Sequence, residues 1–129
     1  MSTLKNIFLV EDDLDDQQFF IEALSGVENV NLFGVSGNGA EALSTLKSYG
    51  SLPDYIFLDF NMPLMNGIDC LKEIAKNPRT KDIPVIMLSS AFEQAGLAHK
   101  CGAKGFIKKT PYISKLKREL NQIINAVLL

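Results

Sequence analysis

Four short apolar blocks in this chain are each followed by polar residues whose types could do chemistry. These residues are Glu11-Asp12-Asp13, Asp59, Ser89-Ser90 and Lys108-Lys109. If the blocks are strands of one parallel sheet, all four groups lie at the edge where ligands of such sheets bind. Carboxylates gathered at one place repel one another and imply a bound cation, and a few hard oxygen ligands suit Mg²⁺. Together with a lysine and a hydroxyl, they are the groups needed to handle a phosphoryl group.

Each group taken alone has a plainer interpretation. Asp12 or Asp13 could simply be a helix N-cap, and Lys109 a solvated surface lysine. Asp59 is harder to explain in this way, because it lies between apolar residues and its desolvation needs compensation. The coincidence of all four groups is what favours a functional site.

The elements that must position these residues begin with the apolar blocks themselves. Residues 7–10, 55–58 and 85–88 are continuous apolar runs, which are typical of strands buried on both faces of a parallel sheet. Residues 30–35 and 105–107 are weaker strand candidates. The pattern therefore predicts five strands.

Helical spacing of apolar residues fills the gaps between the strands. Asn38 and Glu41 have the spacing of a capping box, and the clearest apolar stripe runs over 113–127. The helix expected over 92–101 is the weakest, because Gly96 lies inside it. Five strands, each followed by a helix, predict an α/β fold with a doubly wound five-stranded parallel sheet and five helices.

Composition narrows the classes of function. The chain has 129 residues, no apolar run long enough for a membrane span, no signal-peptide pattern and a net charge of −2. We therefore expect a cytoplasmic protein that binds neither membrane nor nucleic acid. Residues 1–70 hold 11 acids and 2 bases, whereas residues 71–129 hold 4 acids and 11 bases. This asymmetry fits two solvated faces, or an acidic site with a basic docking face. Cys70 and Cys101 are expected to be small hydrophobes rather than disulfide or metal ligands.

The sequence resembles the receiver domain of bacterial two-component response regulators. The resemblance is carried by residues 9–13, 58–67, 84–91 and 102–109. Within 58–67, the pattern Asp-x-x-Met-Pro-x-Met-x-Gly is the most specific. The match spans nearly the whole chain, which implies one stand-alone receiver domain over residues 1–129. It also implies a flavodoxin-like sheet in the order 2-1-3-4-5.

The resemblance implies a phosphoacceptor and a metal site. Asp59 would take a phosphoryl group from the phosphohistidine of a sensor histidine kinase or a histidine phosphotransfer protein. Asp12, Asp59 and the backbone carbonyl of Asn61 would hold Mg²⁺, with Glu11 acting mostly through water. The acidic pair is Glu11 and Asp12 rather than Asp12 and Asp13, because the family's pair directly follows the last apolar residue of the first strand.

The resemblance also implies a switch. Lys109 would pair with the phosphoryl oxygens, and Ser89 would donate its hydroxyl to one of them. Phe106 matches an aromatic residue that turns inward when that hydroxyl is drawn to the phosphoryl group, although it could be a plain core residue. The changed surface would lie around the fourth helix and fifth strand, near the basic residues Lys100, Lys104, Lys108, Lys115, Lys117 and Arg118.

The sequence departs from the family's pattern mainly after Lys109. Thr110 follows it, and Pro111 comes one residue later than in the common Lys-Pro pair, which usually has a cis bond. A cis bond before Thr110 would cost about 3–4 kcal/mol. We therefore expect either that strain or a rebuilt loop with Lys109 slightly displaced. Ser89 stands where threonine is more frequent, which leaves the hydroxyl in place.

Three other functions remain to be weighed. A pseudo-receiver would bind a partner without phosphorylation, but the set Asp12, Asp59, Ser89 and Lys109 is intact. A Mg²⁺-dependent aspartyl phosphatase would need a general acid where Asn61 stands. A flavin-binding module would need a phosphate loop where the chain has acids. The chain ends soon after its last helix, so we expect the signal to pass by protein contact or onward phosphotransfer to a target that the sequence does not name.

Overall fold

The computed structural model of the chain describes residues 4–48 and 50–126. Within them, strands and helices alternate along the whole sequence. The elements are β1 (Lys5–Val10), α1 (Leu14–Ser25), β2 (Val30–Ser36), α2 (Gly39–Ser48), β3 (Tyr55–Asp59), α3 (Gly67–Lys76), β4 (Val85–Ser89), α4 (Ala95–Lys100), β5 (Gly105–Lys108) and α5 (Ile113–Asn125). All neighbouring strands pair in parallel in the order β2-β1-β3-β4-β5. The predicted fold is confirmed; position 127 of the predicted stripe lies outside the described residues.

The sheet separates two hydrophobic layers, and successive residues of β1 enter them alternately. Phe8 and Val10 pack with buried residues of α2 and α3. Ile7 and Leu9 pack on the other face with buried residues of α1 and α5. Side chains alternate between the faces of a strand, so a sheet covered on both sides requires apolar residues at every position. This explains the continuous apolar block at the start of the chain.

Helix α5 is held mainly by its buried stripe. Leu116, Leu120 and Ile124 are buried at intervals of four residues, and burial of each such side chain contributes about 1.5–3 kcal/mol. No side chain caps the first turn of α5, whereas a cap contributes typically about 1 kcal/mol. Packing against α1 therefore outweighs the missing cap.

Three other helices begin at side-chain caps that fix where they start. Asn38 accepts a hydrogen bond from the backbone N–H of Glu41 at 2.8 Å, so the predicted start of α2 is confirmed. Asp13 and Asn66 accept equivalent bonds at the starts of α1 and α3. No helix in the described ranges combines the length and apolar character needed to cross a membrane.

The segment between β4 and β5 buries few side chains. It begins with a 3₁₀ turn, Phe92–Gln94, that has no buried residue, and continues into α4, where only Ala98 is buried. The helix predicted over 92–101 is thus present but short. Its small buried surface follows from a sequence with few large apolar side chains.

Candidate functional site

The carboxyl ends of four strands meet at one edge of the sheet. Val10 at the end of β1 pairs with Leu58 of β3, and Asp59 pairs with Leu88 of β4. The backbone N–H of Lys109 donates to the carbonyl of Ser89 at 2.8 Å. Parallel pairing brings these residues together although nearly a hundred positions separate Lys109 from the first strand.

Three carboxylates form the acidic part of this edge. Glu11, Asp12 and Asp59 each offer an oxygen, and these oxygens lie within 4.8 Å of one another. Glu11 and Asp59 are only 1% and 3% exposed, whereas Asp12 lies on the surface. Asp13 instead caps α1 with its side chain. The sequence left open whether the acids after β1 cap a helix or form part of a site. Asp13 is the helix cap, and Asp12 belongs to the acidic cluster.

Lys109 joins the cluster through one nitrogen. Its Nζ lies 3.0 Å from Glu11 Oε1, 2.9 Å from Asp16 Oδ2 and 3.2 Å from Asp59 Oδ1. A lysine ammonium has three N–H donors, so this geometry can use all of them. The ammonium thereby offsets part of the repulsion among the carboxylates.

Burial sets the protonation of this cluster. Burial raises the pKa of Glu11 from 4.5 to about 8; the hydrogen bond from Lys109 opposes the rise, and Asp59 adds to it. Burial also raises the pKa of Asp59, while its interactions with Glu11 and Lys109 hold it lower. Burial by itself would lower the pKa of Lys109, but the bonds to Asp16 and Glu11 raise it above its usual range. Burial thus favours the protonated form of these two carboxyls, whereas the surrounding carboxylates favour the charged form of Lys109.

The loop after β3 holds Asp59 in place. The backbone N–H of Asn61 lies 3.4 Å from Asp59 Oδ1, and the N–H of Gly67 donates to the carbonyl of Phe60 at 2.9 Å. A Cβ on Gly67 would lie 2.3 Å from the backbone oxygen of Asp59, so only glycine fits there. The glycine of the sequence pattern thus lets α3 approach the end of β3. Asn61, Asp12, Asp59 and Lys109 line the same open cleft.

The hydroxyl of Ser89 is already engaged by the turn that follows β4. Ser89 is 1% exposed, and its Oγ donates to Oε1 of Gln94 and accepts from the N–H of Ala91 at 3.0 Å. Its neighbour Ser90 is exposed and lines the cleft. The hydroxyl that the resemblance assigns to phosphoryl binding thus has a competing partner.

Phe106 is half-buried in β5 and packs against the layer that contains α3. Its ring meets the ring of Phe92 edge to face, with centroids 5.9 Å apart. The interpretations of Phe106 as a core residue and as a switch residue both stay open. The contact does connect β5 with the same turn that holds Ser89.

The structure of the loop after Lys109 decides between the two expected alternatives, a strained cis bond before Thr110 and a rebuilt loop. The residues that the structure describes contain no cis peptide bond, so the bond between Lys109 and Thr110 is trans. The strained alternative is therefore wrong. The loop is instead rebuilt around Thr110, whose Oγ1 accepts from the N–H of Tyr112 at 3.2 Å. Lys109 nevertheless reaches Asp59, so the expected displacement does not remove it from the site.

The six basic residues that the resemblance places near the switch surface are all exposed, but they do not all face one side. Lys117 lies against Gly26 at the end of α1, where a Cβ would come within 2.8 Å of its side chain. The other five, Lys100, Lys104, Lys108, Lys115 and Arg118, are exposed as well. Lys117 is therefore not one of the residues that could form a docking face near α4.

Two residues of the site were missed by sequence reasoning. Asp16 binds Lys109, and its position in the first turn of α1, three residues after the cap Asp13, was the available signal. Gln94 accepts from Ser89 across a turn whose geometry no periodicity encodes. Cys70 is buried and Cys101 partly buried, and both are free thiols.

Fold and site together define a doubly wound domain with carboxylates, a lysine and a hydroxyl at its ligand-binding edge. The sequence matches the model of the Response regulator receiver domain over residues 7–121. This chain belongs to that family, whose members are phosphoryl-accepting signalling domains.

Individual relatives agree with this assignment. The chain is 34% identical over 118 residues to the chemotaxis protein CheY of Thermotoga maritima, covering 89% of this chain and 94% of that one. It is similar in structure to the phosphorylated cyanobacterial phytochrome response regulator RcpA, with a TM-score of 0.81, 30% identity, and coverage of 94% and 91%.

A further relative is much longer than this chain. The match to a protein-glutamate methylesterase/protein-glutamine glutaminase of Clostridium acetobutylicum is 35% identical over 122 residues and covers 88% of this chain. The chain spans about a third of that relative's length, since 34% of it is covered. The likeness therefore concerns the receiver portion and not the relative's enzymatic activity.

Proposed function

We propose that residues 1–129 act as one receiver domain and that Asp59 is its phosphoacceptor. The observation that carries this proposal is the position of the Asp59 carboxylate, which is 3% exposed yet lines an open cleft between Asp12 and Lys109. A buried carboxylate at the cleft, with a lysine nitrogen at 3.2 Å, can attack an electrophile while a cation offsets charge. The pseudo-receiver alternative is not favoured, because the acceptor, its acidic neighbours and the lysine lie together.

The reaction we propose is transfer from a phosphohistidine. A carboxylate oxygen of Asp59 forms a bond to phosphorus as the phosphorus–nitrogen bond of the donor breaks. The electron pair of that bond stays on the imidazole nitrogen, which takes up a proton. Water later attacks the phosphorus of the aspartyl phosphate, which releases inorganic phosphate and restores the carboxylate. The protein would thus promote only its own phosphorylation and its slow reversal.

Mg²⁺ fits the acidic cluster and is the cofactor we propose. Asp12 and Asp59 would hold it, together with the backbone carbonyl of Asn61, and Glu11 would act mostly through water. The exposed Asp12 leaves room for the waters that Mg²⁺ tends to keep. When bound, the ion supplies charge neutralisation at the transferring group. Lys109 would then donate to the phosphoryl oxygens, and Ser89 would donate its hydroxyl to one of them.

We propose a sensor histidine kinase, a histidine phosphotransfer protein, or both as phosphoryl donors. Such donors would place the chain in the cytoplasm. The downstream target would be a protein that contacts the surface near α4 and β5, with Phe106 as part of the switch. Lys100 at the end of α4, Lys104 just before β5 and Lys108 in β5 are exposed, and their charges support an acidic partner there.

The test is phosphorylation by a small donor, read as intact mass. Wild-type protein is incubated with acetyl phosphate or phosphoramidate in Mg²⁺ and in EDTA, beside Asp59→Asn and Asp15→Asn. Asp15 is an exposed carboxylate in the first turn of α1 and serves as the matched control. We expect a phosphoryl mass shift in wild type and Asp15→Asn that disappears with EDTA and with Asp59→Asn. The absence of a shift from wild type, combined with no Mg²⁺ binding in a titration, would contradict the proposal.

A further inference from the structure

The Ser89 hydroxyl has one proton to donate, and in this structure Gln94 is its nearest acceptor, while the carbonyl oxygen of Ala91 lies farther away, at 3.5 Å. The hydroxyl lies on a side chain that is 1% exposed, so it has little access to water as an alternative partner. The hydroxyl oxygen itself accepts a hydrogen bond from the N–H of Ala91. A hydroxyl cannot donate to Gln94 and to a phosphoryl oxygen at the same time. Binding of a phosphoryl group by Ser89 therefore requires the bond to Gln94 to break.

Gln94 belongs to a segment of the described fold that buries few side chains. It ends the 3₁₀ turn Phe92–Gln94, which has no buried residue, and α4 beyond it buries only Ala98. Gln94 itself is half-buried, so its amide can bind water once it is released. Segments with few buried contacts move at small free-energy cost. The turn can thus respond to the loss of a single hydrogen bond.

The same turn carries the aromatic contact to β5. Phe92 is two residues before Gln94, and its ring meets that of Phe106 at 5.9 Å. The side chain of Phe92 is otherwise largely exposed, at 65%. A movement of the turn that frees Gln94 therefore also changes the contact between Phe92 and Phe106.

We propose that Gln94 is a positioning residue that acts through Ser89: it holds the Ser89 hydroxyl in the unphosphorylated protein and competes with the phosphoryl group for it. Release of Gln94 then connects events at Asp59 to the Phe92–Phe106 contact. The proposal rests on the proposed function of Asp59. It predicts that the strength of the Gln94 acceptor sets how readily the phosphorylated state forms.

The test compares two substitutions with opposite expected effects. Gln94→Met keeps the length of the side chain but removes the strong acceptor, whereas Gln94→Glu provides a charged and stronger one. The readout is the dissociation constant for beryllofluoride, a phosphoryl mimic, measured by calorimetry in Mg²⁺. One neutral hydrogen bond corresponds to a change of roughly two- to tenfold in such a constant. We expect tighter binding with Gln94→Met and weaker binding with Gln94→Glu.

Each substitution is also made in the Ser89→Ala protein. If Gln94 acts through the hydroxyl, the effect of Gln94→Met vanishes there. In that protein, Gln94→Glu should weaken beryllofluoride binding only through repulsion between the Glu carboxylate and the anion. Unchanged or weaker binding with Gln94→Met, or an effect of equal size without the hydroxyl, would overturn the proposal. If wild type bound no beryllofluoride and took no phosphoryl group, the function of Asp59 would fail and this proposal with it.

A measurement without any phosphoryl mimic tests the role of Gln94 independently of the function proposed for Asp59. The side-chain amide of Gln94 gives its own pair of NMR signals, which a hydrogen bond to its oxygen shifts. We expect Ser89→Ala to move these signals and those of the Phe92 ring, whereas Ser90→Ala at the exposed neighbour leaves them in place. Signals that do not respond to Ser89→Ala would overturn the proposal even if Asp59 proved to be phosphorylated.

Discussion

The Nζ atom of Lys109 lies 3.2 Å from Oδ1 of Asp59, although the two residues are 50 positions apart in the sequence. The same nitrogen contacts Glu11 and Asp16, so one ammonium serves three carboxylates. A divalent cation at Glu11, Asp12 and Asp59 would compete with it for the same oxygens. Lys109 is therefore expected to weaken Mg²⁺ binding while it promotes phosphorylation, and these two effects can be measured separately.

Replacement of Lys109 by methionine should strengthen Mg²⁺ binding and weaken phosphorylation. Loss of the positive charge leaves the carboxylates free for the ion, so the Mg²⁺ affinity is expected to rise several-fold. Loss of the donor to the phosphoryl oxygens should slow phosphorylation by acetyl phosphate by roughly 10²-fold. Calorimetry with Mg²⁺ and the time course of intact mass measure the two effects.

Lys108→Met is the matched control for this experiment, because Lys108 is exposed and precedes Lys109 directly. It should leave the Mg²⁺ affinity and the rate of phosphorylation close to those of wild type. Equal effects of the two substitutions, or a loss of Mg²⁺ affinity in Lys109→Met, would contradict the role given to Lys109.

The stability of the protein in EDTA should fall as the pH rises from about 5 to about 8. Burial raises the pKa of Glu11 from 4.5 to about 8, so the folded state binds this proton more tightly than the unfolded state does. Such a carboxyl stabilises the fold fully below its unfolded pKa and loses that contribution as the pH rises through its folded pKa. Asp59 shifts in the same direction. Urea unfolding over this pH range measures the effect.

Glu11→Gln removes this titration and should flatten the pH dependence. Because Mg²⁺ needs ionised carboxylates, its affinity for wild type should rise over the same range. A stability that rises with pH in EDTA for wild type, or an unchanged slope in Glu11→Gln, would show that Glu11 does not hold the proton.

A methyl group at position 67 should disturb both the fold and the site. A Cβ on Gly67 would lie 2.3 Å from the backbone oxygen of Asp59 and 2.8 Å from Cα of Phe60. Backbone atoms cannot give way locally, so Gly67→Ala is expected to lower the free energy of unfolding by about 2–4 kcal/mol. It should also slow phosphorylation, because Asp59 must shift. Urea unfolding and the mass time course measure these effects.

Gly96→Ala provides the comparison, because a Cβ there has nothing within 4 Å and the position is helical. It should leave the site unchanged and stabilise the protein by up to about 1 kcal/mol. If Gly67→Ala proved as harmless as Gly96→Ala, the close approach of α3 to β3 would be wrong.

The sequence predicts the strands, their order of appearance and the chemistry at their ends, because these depend on local patterns. The apolar block before Asp59 predicts β3, and parallel pairing then carries Asp59 to the same edge as Glu11. The partners of Lys109 and Ser89 were not predicted in full. Whether Lys109 reaches Asp16 depends on how a rebuilt loop and the first turn of α1 meet in space, and periodicity carries no such information.

The most direct test of the central claim is to locate the phosphoryl group. Protein treated with acetyl phosphate and Mg²⁺ is reduced with borohydride, which converts an aspartyl phosphate to homoserine, and is then digested and sequenced by mass spectrometry. We predict homoserine at position 59 alone, with unmodified Asp12, Asp13 and Asp16. Homoserine at another acid of the cleft with Asp59 intact would contradict the account.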